Sequence, residues 1–276
     1  MNIALPALDF RATWSIRIVD AADGSVLAEH DPDVVCQTAS VGKVFLLIEV
    51  ARRLVDGSLS PDQRVEVPDE YRVEDSGLLY RMRNQTISVY DAALLVGAFS
   101  DNLATNALIH LCGLESVRAV APELGYADTS LLDYIRNERL AGMPWTPSYG
   151  TGAELSDLMR RLGAREVISP EVSDLVLTWL AANADTSLVA DSLLLDSLAH
   201  VEAEYQGMVL RHKTGSTSFS RIDVGYLSGP EATVAYAVAA NWPGLGIDLR
   251  APVLAAMHTI GEHLRRHVTG RDLDGV

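Results

Sequence analysis

Segments with a strand pattern lie at both ends of the chain, and segments with a helix pattern lie between them. Near the N-terminus, Trp14, Ile16 and Ile18 alternate with other residues, and a turn at 21–24 leads into a second apolar run. The predicted strand regions are 13–30, 209–213, 222–227 and 233–240. Because the two ends share this pattern, their strands most economically form one antiparallel sheet rather than two independent domains.

The middle of the chain carries apolar residues at helical spacing. The predicted helices are 40–55, 90–99, 103–112, 116–124, 152–162 and 171–182, with a last amphipathic helix at 249–267. We therefore predict an α/β (α+β) fold, with an antiparallel sheet flanked by helices and an all-helical lobe. Residues 1–276 would form a single catalytic domain, with a sheet lobe at about 1–37 and 185–276 and a helical lobe at about 38–184. A cleft between the lobes is a usual place for a small-molecule site.

Composition and charge exclude several classes of partner. The net charge of −15 repels phosphate backbones, so no nucleic acid partner is expected. No run approaches the roughly 18–20 apolar residues of a membrane span, and the N-terminus lacks the features of a signal peptide. We expect a monomer that works without membrane, metal or cofactor. It would be cytoplasmic as written, and periplasmic or secreted if a signal peptide has been removed.

Two cysteines, Cys36 and Cys112, stand far apart in apolar surroundings. They lack metal-ligand spacing and cannot form a disulfide framework. Two buried reduced thiols are expected, and a single disulfide is the alternative.

A serine and a lysine open the first predicted helix, in the sequence Ser40-Val41-Gly42-Lys43. The i, i+3 spacing puts the hydroxyl and the amine on one helical face. A serine needs a nearby base to act as a nucleophile, and a partly desolvated lysine can serve. Taken alone, the pattern is more often that of a capping serine followed by a solvated lysine.

Two further polar motifs carry possible catalytic groups. Ser100-Asp101-Asn102 lies between two apolar helical runs, where a short loop can present a hydroxyl and an amide. The strand that contains Lys213, Thr214, Gly215 and Ser216 includes a glycine, which often marks close approach of a ligand or another backbone. Such a strand could pair with an extended acyl substrate, with Lys213 adding positive charge.

The three motifs occur in the order S-x-x-K, S-D-N, K-T-G, the signature of class A β-lactamases and penicillin-binding proteins. The chain resembles this family over 38–47 (TASVGKVFLL), 87–106 (ISVYDAALLVGAFSDNLATN) and 212–224 (HKTGSTSFSRIDV). The resemblance extends from the first hairpin to the last helix. It implies a serine hydrolase that acts on small β-lactam, acyl-peptide or ester substrates.

The resemblance also implies roles for individual residues. Ser40 would be the nucleophile, and the backbone N–H groups of Ser40 and Ser216 would form the oxyanion hole. Ser100 and Lys213 would relay a proton to the leaving nitrogen, and Asn102 would orient the acyl amide. Arg221, with Ser216, would hold a substrate carboxylate, a task that suits a bidentate guanidinium.

The resemblance is weakest where a carboxylate should position the water that hydrolyses the acyl-enzyme. Family members typically read R-x-E-x-x-L-N there, whereas this chain reads RNERLAG over 136–142. Arg136 and Glu138 match, but Gly142 replaces the asparagine, and the following segment is shorter. Glu138 is therefore expected either to act on the deacylating water or to be a surface residue paired with a neighbouring arginine.

Three functional hypotheses follow. The first is β-lactam hydrolysis through an acyl-enzyme on Ser40, with Lys43, or Glu138 through a water, as the base. The second is a D-alanyl-D-alanine carboxypeptidase, esterase or amidase of the same fold, with slow β-lactam turnover. The third is a penicillin-binding module that acylates once or only binds.

Overall fold

The computed structural model describes residues 2–200, 207–244 and 246–271. Positions 1, 201–206, 245 and 272–276 of the predicted sheet lobe lie outside the described residues. The two-lobe division of the domain stays a prediction.

The helices follow the predicted segments closely. They are α1 (Lys43–Val55), α2 (Val89–Phe99), α3 (Asn102–Cys112), α4 (Leu114–Glu123), α5 (Gly152–Gly163), α6 (Pro170–Ala181) and α7 (Arg250–Thr269). Polar caps set several of their beginnings. The side chains of Ser88, Thr151 and Ser169 accept backbone N–H groups at the starts of α2, α5 and α6.

The described residues form ten strands in three sheets. They are β1 (Thr13–Asp20), β2 (Val26–His30), β3 (Cys36–Gln37), β4 (Arg64–Val65), β5 (Ile87–Ser88), β6 (Ser130–Leu131), β7 (Ser148–Gly150), β8 (Val209–Thr217), β9 (Ser220–Ser228) and β10 (Thr233–Asn241). The main sheet has the order β2-β1-β10-β9-β8 and is antiparallel throughout. The two ends of the chain therefore share one sheet, because β1 pairs with β10, and the predicted fold class is confirmed. The short strands β3 to β7 were not predicted.

The main sheet separates two apolar cores, because alternate side chains of a strand point to opposite faces. On β10, Ala235, Ala237 and Ala239 pack into the core that contains α1 and the other helices of the middle segment. Their neighbours Val234, Tyr236 and Val238 pack into a second core with α7. Strand β8 is an edge of this sheet, which leaves one side of it available to the site.

Helix α1 is the centre of the first core, since nine consecutive residues from Lys43 to Ala51 are buried. Both cysteines are free and buried, and burial raises the pKa of each thiol to about 12. Among the helices that the structure describes, none is long and apolar enough to span a bilayer.

Candidate active site

Ser40 lies in a one-turn 3-10 helix (Ala39–Gly42) directly before α1, rather than in α1 itself. Ala39 has a left-handed backbone with φ 48°, which turns the chain sharply before the serine. The turn packs against β7, where the Thr38 hydroxyl donates to Ser148 Oγ at 2.9 Å. A Cβ on Gly42 would lie 2.3 Å from Ser148 Cβ, so only glycine fits at this position of the motif.

Lys43 is fully buried at the start of α1, and its amine contacts the second motif directly. Its Nζ donates to the Ser100 carbonyl at 2.6 Å, to Asn102 Oδ1 at 2.7 Å and to Ser100 Oγ at 3.1 Å. The hydroxyl of Ser100 can accept from an ammonium or donate to a neutral amine. A proton can therefore pass between Lys43 and Ser100 without movement of either backbone.

The loop between α2 and α3 holds these groups in place. Ser100 has a left-handed backbone with φ 53°, which ends α2 and reverses the chain. The buried Asp101 carboxylate caps α3 by accepting from Ala104 N at 2.9 Å. Its second oxygen accepts from the backbone N–H groups of Leu78 and Leu79, both at 2.7 Å. Asp101 therefore has a structural role, while its two neighbours face Lys43.

The K-T-G motif lies at the end of the edge strand β8. A Cβ on Gly215 would lie 2.4 Å from the Thr38 carbonyl oxygen and 3.0 Å from Ser40 N. The backbones of β8 and the serine turn thus meet at a distance that no larger residue permits. The backbone N–H groups of Ser40 and Ser216 lie on the two segments brought together here, as an oxyanion hole requires.

Lys213 is also fully buried, and its Nζ donates to the Thr214 carbonyl at 2.8 Å. Desolvation lowers the pKa of Lys213 to about 8, although the charges of Asp185 and Asp223 oppose the change. Desolvation, together with the charge of Lys213, holds the pKa of Lys43 well below its ordinary value. Burial therefore favours the neutral amine of Lys43, which is the form that can accept a proton.

The chain contains only these two lysines, against 20 arginines. Both lysines are fully buried in the site, so none lies on the surface. Arginine supplies the remaining fixed positive charge. This count is a sequence signal that the motif search did not use. It singles out Lys43 and Lys213 without reference to any motif.

A cleft of about 750 Å³ opens over these elements. Six of the sequence-predicted site residues line it together: Ser40, Ser100, Asn102, Thr214, Gly215 and Ser216. Lys43 lies beneath Ser100 and Asn102, and Lys213 lies beside Thr214. The cleft thus joins all three motifs.

Arg221 is not among the described residues that line this cleft. Its Nη1 donates to the carbonyl oxygens of Thr217 at 2.6 Å and Ser220 at 2.7 Å. Its guanidinium carbon lies 5.8 Å from the ring centroid of Trp242. The guanidinium is therefore engaged at the turn between β8 and β9, beyond the K-T-G end of the cleft.

Glu138 is likewise absent from the described lining of the cleft. It is exposed and borders an adjoining hollow of about 190 Å³, which shares Ile135, Arg136 and Asn137 with the cleft. The structure thus brings six of the predicted site residues into one cleft and leaves Glu138 outside its lining.

The orientation of this loop follows from a buried carboxylate. Asp133 accepts from Arg136 Nε at 2.8 Å and from Arg139 Nη1 at 3.0 Å, which draws both arginines inward. Glu138 makes no ion pair of 4 Å or less with either arginine in the part of the chain that the structure describes. Its neighbour Asn137 lines the cleft instead.

Several polar residues that line the cleft were not predicted from the sequence, among them Asp75, Asn137, Asn183 and Asp185. Asp75 and Asp185 belong to no motif, and only the folded chain brings them to the cleft. Asn137 lies within the segment 136–142, one position before Glu138.

A family model described as the β-lactamase enzyme family matches residues 3–267. The chain belongs to the β-lactamase enzyme family. A search of curated proteins found no significant match.

Solved structures with a similar fold agree with membership in this family. A β-lactamase from Sphaerobacter thermophilus DSM 20745 is 25% identical with a TM-score of 0.79, covering 94% of this chain and 92% of that one. A structure of PBP-A is 19% identical with a TM-score of 0.76, covering 95% and 98%. A class A β-lactamase from Mycobacterium abscessus is 19% identical with a TM-score of 0.75, covering 93% and 94%. The chain therefore has the β-lactamase fold over nearly its whole length.

Proposed function

We propose that this chain is a serine acyl-transfer enzyme that opens β-lactam rings through a covalent acyl-enzyme on Ser40, and that hydrolysis of this acyl-enzyme is slow. The contact of Lys43 with Ser100 and Asn102, in a cleft that also exposes Ser40, carries the proposal. It combines a nucleophile, a base of lowered pKa and a hydroxyl that can pass on a proton.

In the acylation step, Ser40 Oγ attacks the lactam carbonyl while neutral Lys43 takes its proton. This choice of base is favoured because Lys43 is fully buried with a pKa well below its ordinary value, whereas Glu138 lies outside the cleft. The negative charge that develops on the carbonyl oxygen would be held by the N–H groups of Ser40 and Ser216. Hydrogen-bond donors of this kind typically contribute a factor of about 10²–10³ each.

The leaving nitrogen then needs a proton as its bond to the carbonyl carbon breaks. The Ser100 hydroxyl would donate its proton to this nitrogen and regain one from the ammonium of Lys43, which lies 3.1 Å away. Protonated Lys213 would favour this transfer electrostatically. Asn102 would orient the acyl amide, and Thr214, Gly215 and Ser216 would pair with the backbone or carboxylate of the substrate.

Deacylation needs a base that activates water, and Glu138 is exposed on the adjoining hollow, outside the lining of the cleft. The cleft presents Asn137 at this loop, and an amide cannot accept the proton of the attacking water. The absence of a positioned base typically slows such a step by about two to four powers of ten. A long-lived acyl-enzyme is therefore expected.

The position of Glu138 outside the cleft also favours a second candidate. It is a D-alanyl-D-alanine carboxypeptidase, or an esterase or amidase, for which β-lactams are slow substrates. A mutant of PBP-A, 19% identical to this chain, has been captured as an acyl-enzyme with penicillin G. An acyl-enzyme from a peptide or ester would have the same Ser40 linkage, so the chemistry of acylation is common to both candidates.

The test is to mix the protein with a chromogenic cephalosporin, to follow absorbance, and to record intact mass over time. We expect one burst of ring opening per protein, followed by slow turnover with a persistent adduct. Ser40→Ala should give neither burst nor adduct, and Glu138→Ala should match the wild type because its side chain lies outside the cleft.

Each alternative has its own signature. Fast turnover that Glu138→Ala converts into a persistent adduct would show that Glu138 is the deacylating base and would refute the slow-turnover part of the proposal. Fast ester hydrolysis beside slow β-lactam turnover would favour the second candidate. An adduct that remains in Ser40→Ala would refute the role of Ser40.

A further inference from the structure

The cleft contains an acidic side chain at the end where the leaving group is expected. Asp185 follows α6 and lines the cleft beside Thr214 and Ser216, whereas family-type substrates are expected to bring a carboxylate to this end. A fixed negative charge there opposes such a carboxylate. The acylation mechanism does not use Asp185.

The surroundings of Asp185 keep it ionised. Its Oδ1 accepts from Ser187 Oγ at 2.6 Å and from Ser187 N at 3.2 Å. Desolvation would raise the pKa of Asp185, but hydrogen bonds from Ser187 and Thr214 and the charge of Lys213 outweigh it, and the pKa is lowered. A substrate would therefore meet a carboxylate.

The positive groups nearby are less accessible than this carboxylate. Lys213 is fully buried, whereas Asp185 is exposed. Arg221 is held by two backbone carbonyl oxygens at the β8–β9 turn and does not line the cleft. Within residues 2–200, 207–244 and 246–271, Asp185 forms no ion pair of 4 Å or less. Its charge acts on Lys213 and Arg221 at longer range, and its exposed side chain is open to a bound molecule.

We propose that Asp185 is a specificity-determining residue that makes the site favour acyl substrates with a cationic leaving group over those with an anionic one. This inference rests on the proposed acylation of Ser40. The leaving group would lie along Thr214, where an ammonium could reach the Asp185 carboxylate and a carboxylate would be repelled. Binding energy at this position would change specificity without changing the chemical step at Ser40.

The test compares three esters that share a phenylacetylglycyl group and differ in the leaving phenol. The meta substituent is a carboxylate, a carboxamide or a trimethylammonium group. We expect Asp185→Asn to lower the cationic-to-anionic ratio of kcat/KM by about tenfold, the usual scale for one charge pair at a partly solvated site. Comparison of each ester between variant and wild type removes the intrinsic reactivity of the phenols.

Asp75→Asn is the matched control, because it removes the other carboxylate among the described cleft residues that forms no ion pair. Asp75 lies on the segment beside Asn102, whose N–H donates to the Ser76 carbonyl, and not beside Thr214. Its removal should change the ratio by less than about twofold. An equal change in both variants would show a general effect of net charge and would overturn the proposal.

Two other results would overturn the proposal. An unchanged ratio in Asp185→Asn would remove its role in selectivity, and an equal loss with all three esters would show that Asp185 only positions Thr214. Failure of the proposed function has a separate signature, which is ester hydrolysis that survives in Ser40→Ala. In that case, calorimetric binding of the trimethylammonium and carboxylate phenols to the Ser40→Ala protein, with and without Asp185→Asn, still decides the charge preference.

Discussion

Replacement of Lys213 by methionine should stabilise the protein while it impairs the reaction. The side chains are similar in length, and Lys213 is fully buried, so the change removes a charge with little change in volume. The pKa of Lys213 is lowered from 10.5 to about 8. This difference corresponds to a penalty of about 3 kcal/mol for keeping the folded-state ammonium charged at pH 7.

Part of the stability gained by removing the buried charge is offset by a lost hydrogen bond. Methionine cannot donate to the Thr214 carbonyl, which now accepts from Lys213 Nζ at 2.8 Å, and this loss offsets about 1 kcal/mol. We therefore expect Lys213→Met to raise the free energy of unfolding at pH 7 by about 2 kcal/mol. The initial rate of acylation should fall by at least about tenfold, because no cation remains beside Thr214.

The pH dependence identifies the cause. Between about pH 8 and pH 10.5, the unfolded wild-type chain retains the Lys213 proton that the folded chain loses, so the stability contribution from this residue rises with pH. The advantage of Lys213→Met should therefore shrink to near zero by about pH 9.5. Urea unfolding of both proteins at pH 7 and 9.5 measures the two differences, and Lys213→Arg, which stays charged, is the control.

Two results would refute this reasoning. A Lys213→Met protein that is less stable than the wild type at pH 7 would mean that Lys213 stabilises the fold. A stability difference that does not change with pH would mean that protonation of Lys213 is not its cause.

Other predictions concern the two lysines, the oxyanion hole and the loop. Because the chain has only two lysines, Nζ-labelled lysine should give two NMR titrations. The pKa of Lys213 should lie near 8 and that of Lys43 well below 10.5. Two pKa values near 10.5 would contradict the assignment of Lys43 as the base. Gly215→Ala should lower the rate of acylation by at least about 10²-fold, because its Cβ would lie 2.4 Å from the Thr38 carbonyl oxygen. A smaller loss of rate in stopped-flow measurements would argue against the close contact between these two backbones. Asn137→Glu should shorten the lifetime of the cephalosporin adduct in mass spectra by at least about tenfold, while Glu138→Gln leaves it unchanged; the reverse would place Glu138 in the cleft.

The convergence of the three motifs was predictable from sequence because their residues lie at the ends of strongly patterned elements. Lys43 begins a helix in which nine consecutive residues are buried, and Ser100 lies between two apolar helices. Gly215 lies on the continuation of the strand predicted at 209–213. Local pattern fixed these elements, and the motif order related them to one another.

The other half depends on contacts that local pattern does not encode. The buried Asp133 draws two arginines of the loop inward, and with them Asn137 rather than Glu138 lines the cleft. Asp185 comes to Thr214 only because the segment after α6 packs against β8. Likewise, the hydrogen bonds that hold Arg221 at the β8–β9 turn could not be read from its spacing to Lys213.

The most direct test of the central claim is the site of covalent attachment. The protein would be incubated with penicillin G, quenched, digested and mapped by tandem mass spectrometry, with Ser40→Ala in parallel. We predict one adduct per chain on Ser40, with a mass increase equal to the whole penicillin because ring opening expels no fragment, and none in Ser40→Ala. An adduct on another residue, or ring opening that persists in Ser40→Ala, would contradict the assignment of Ser40 as the nucleophile.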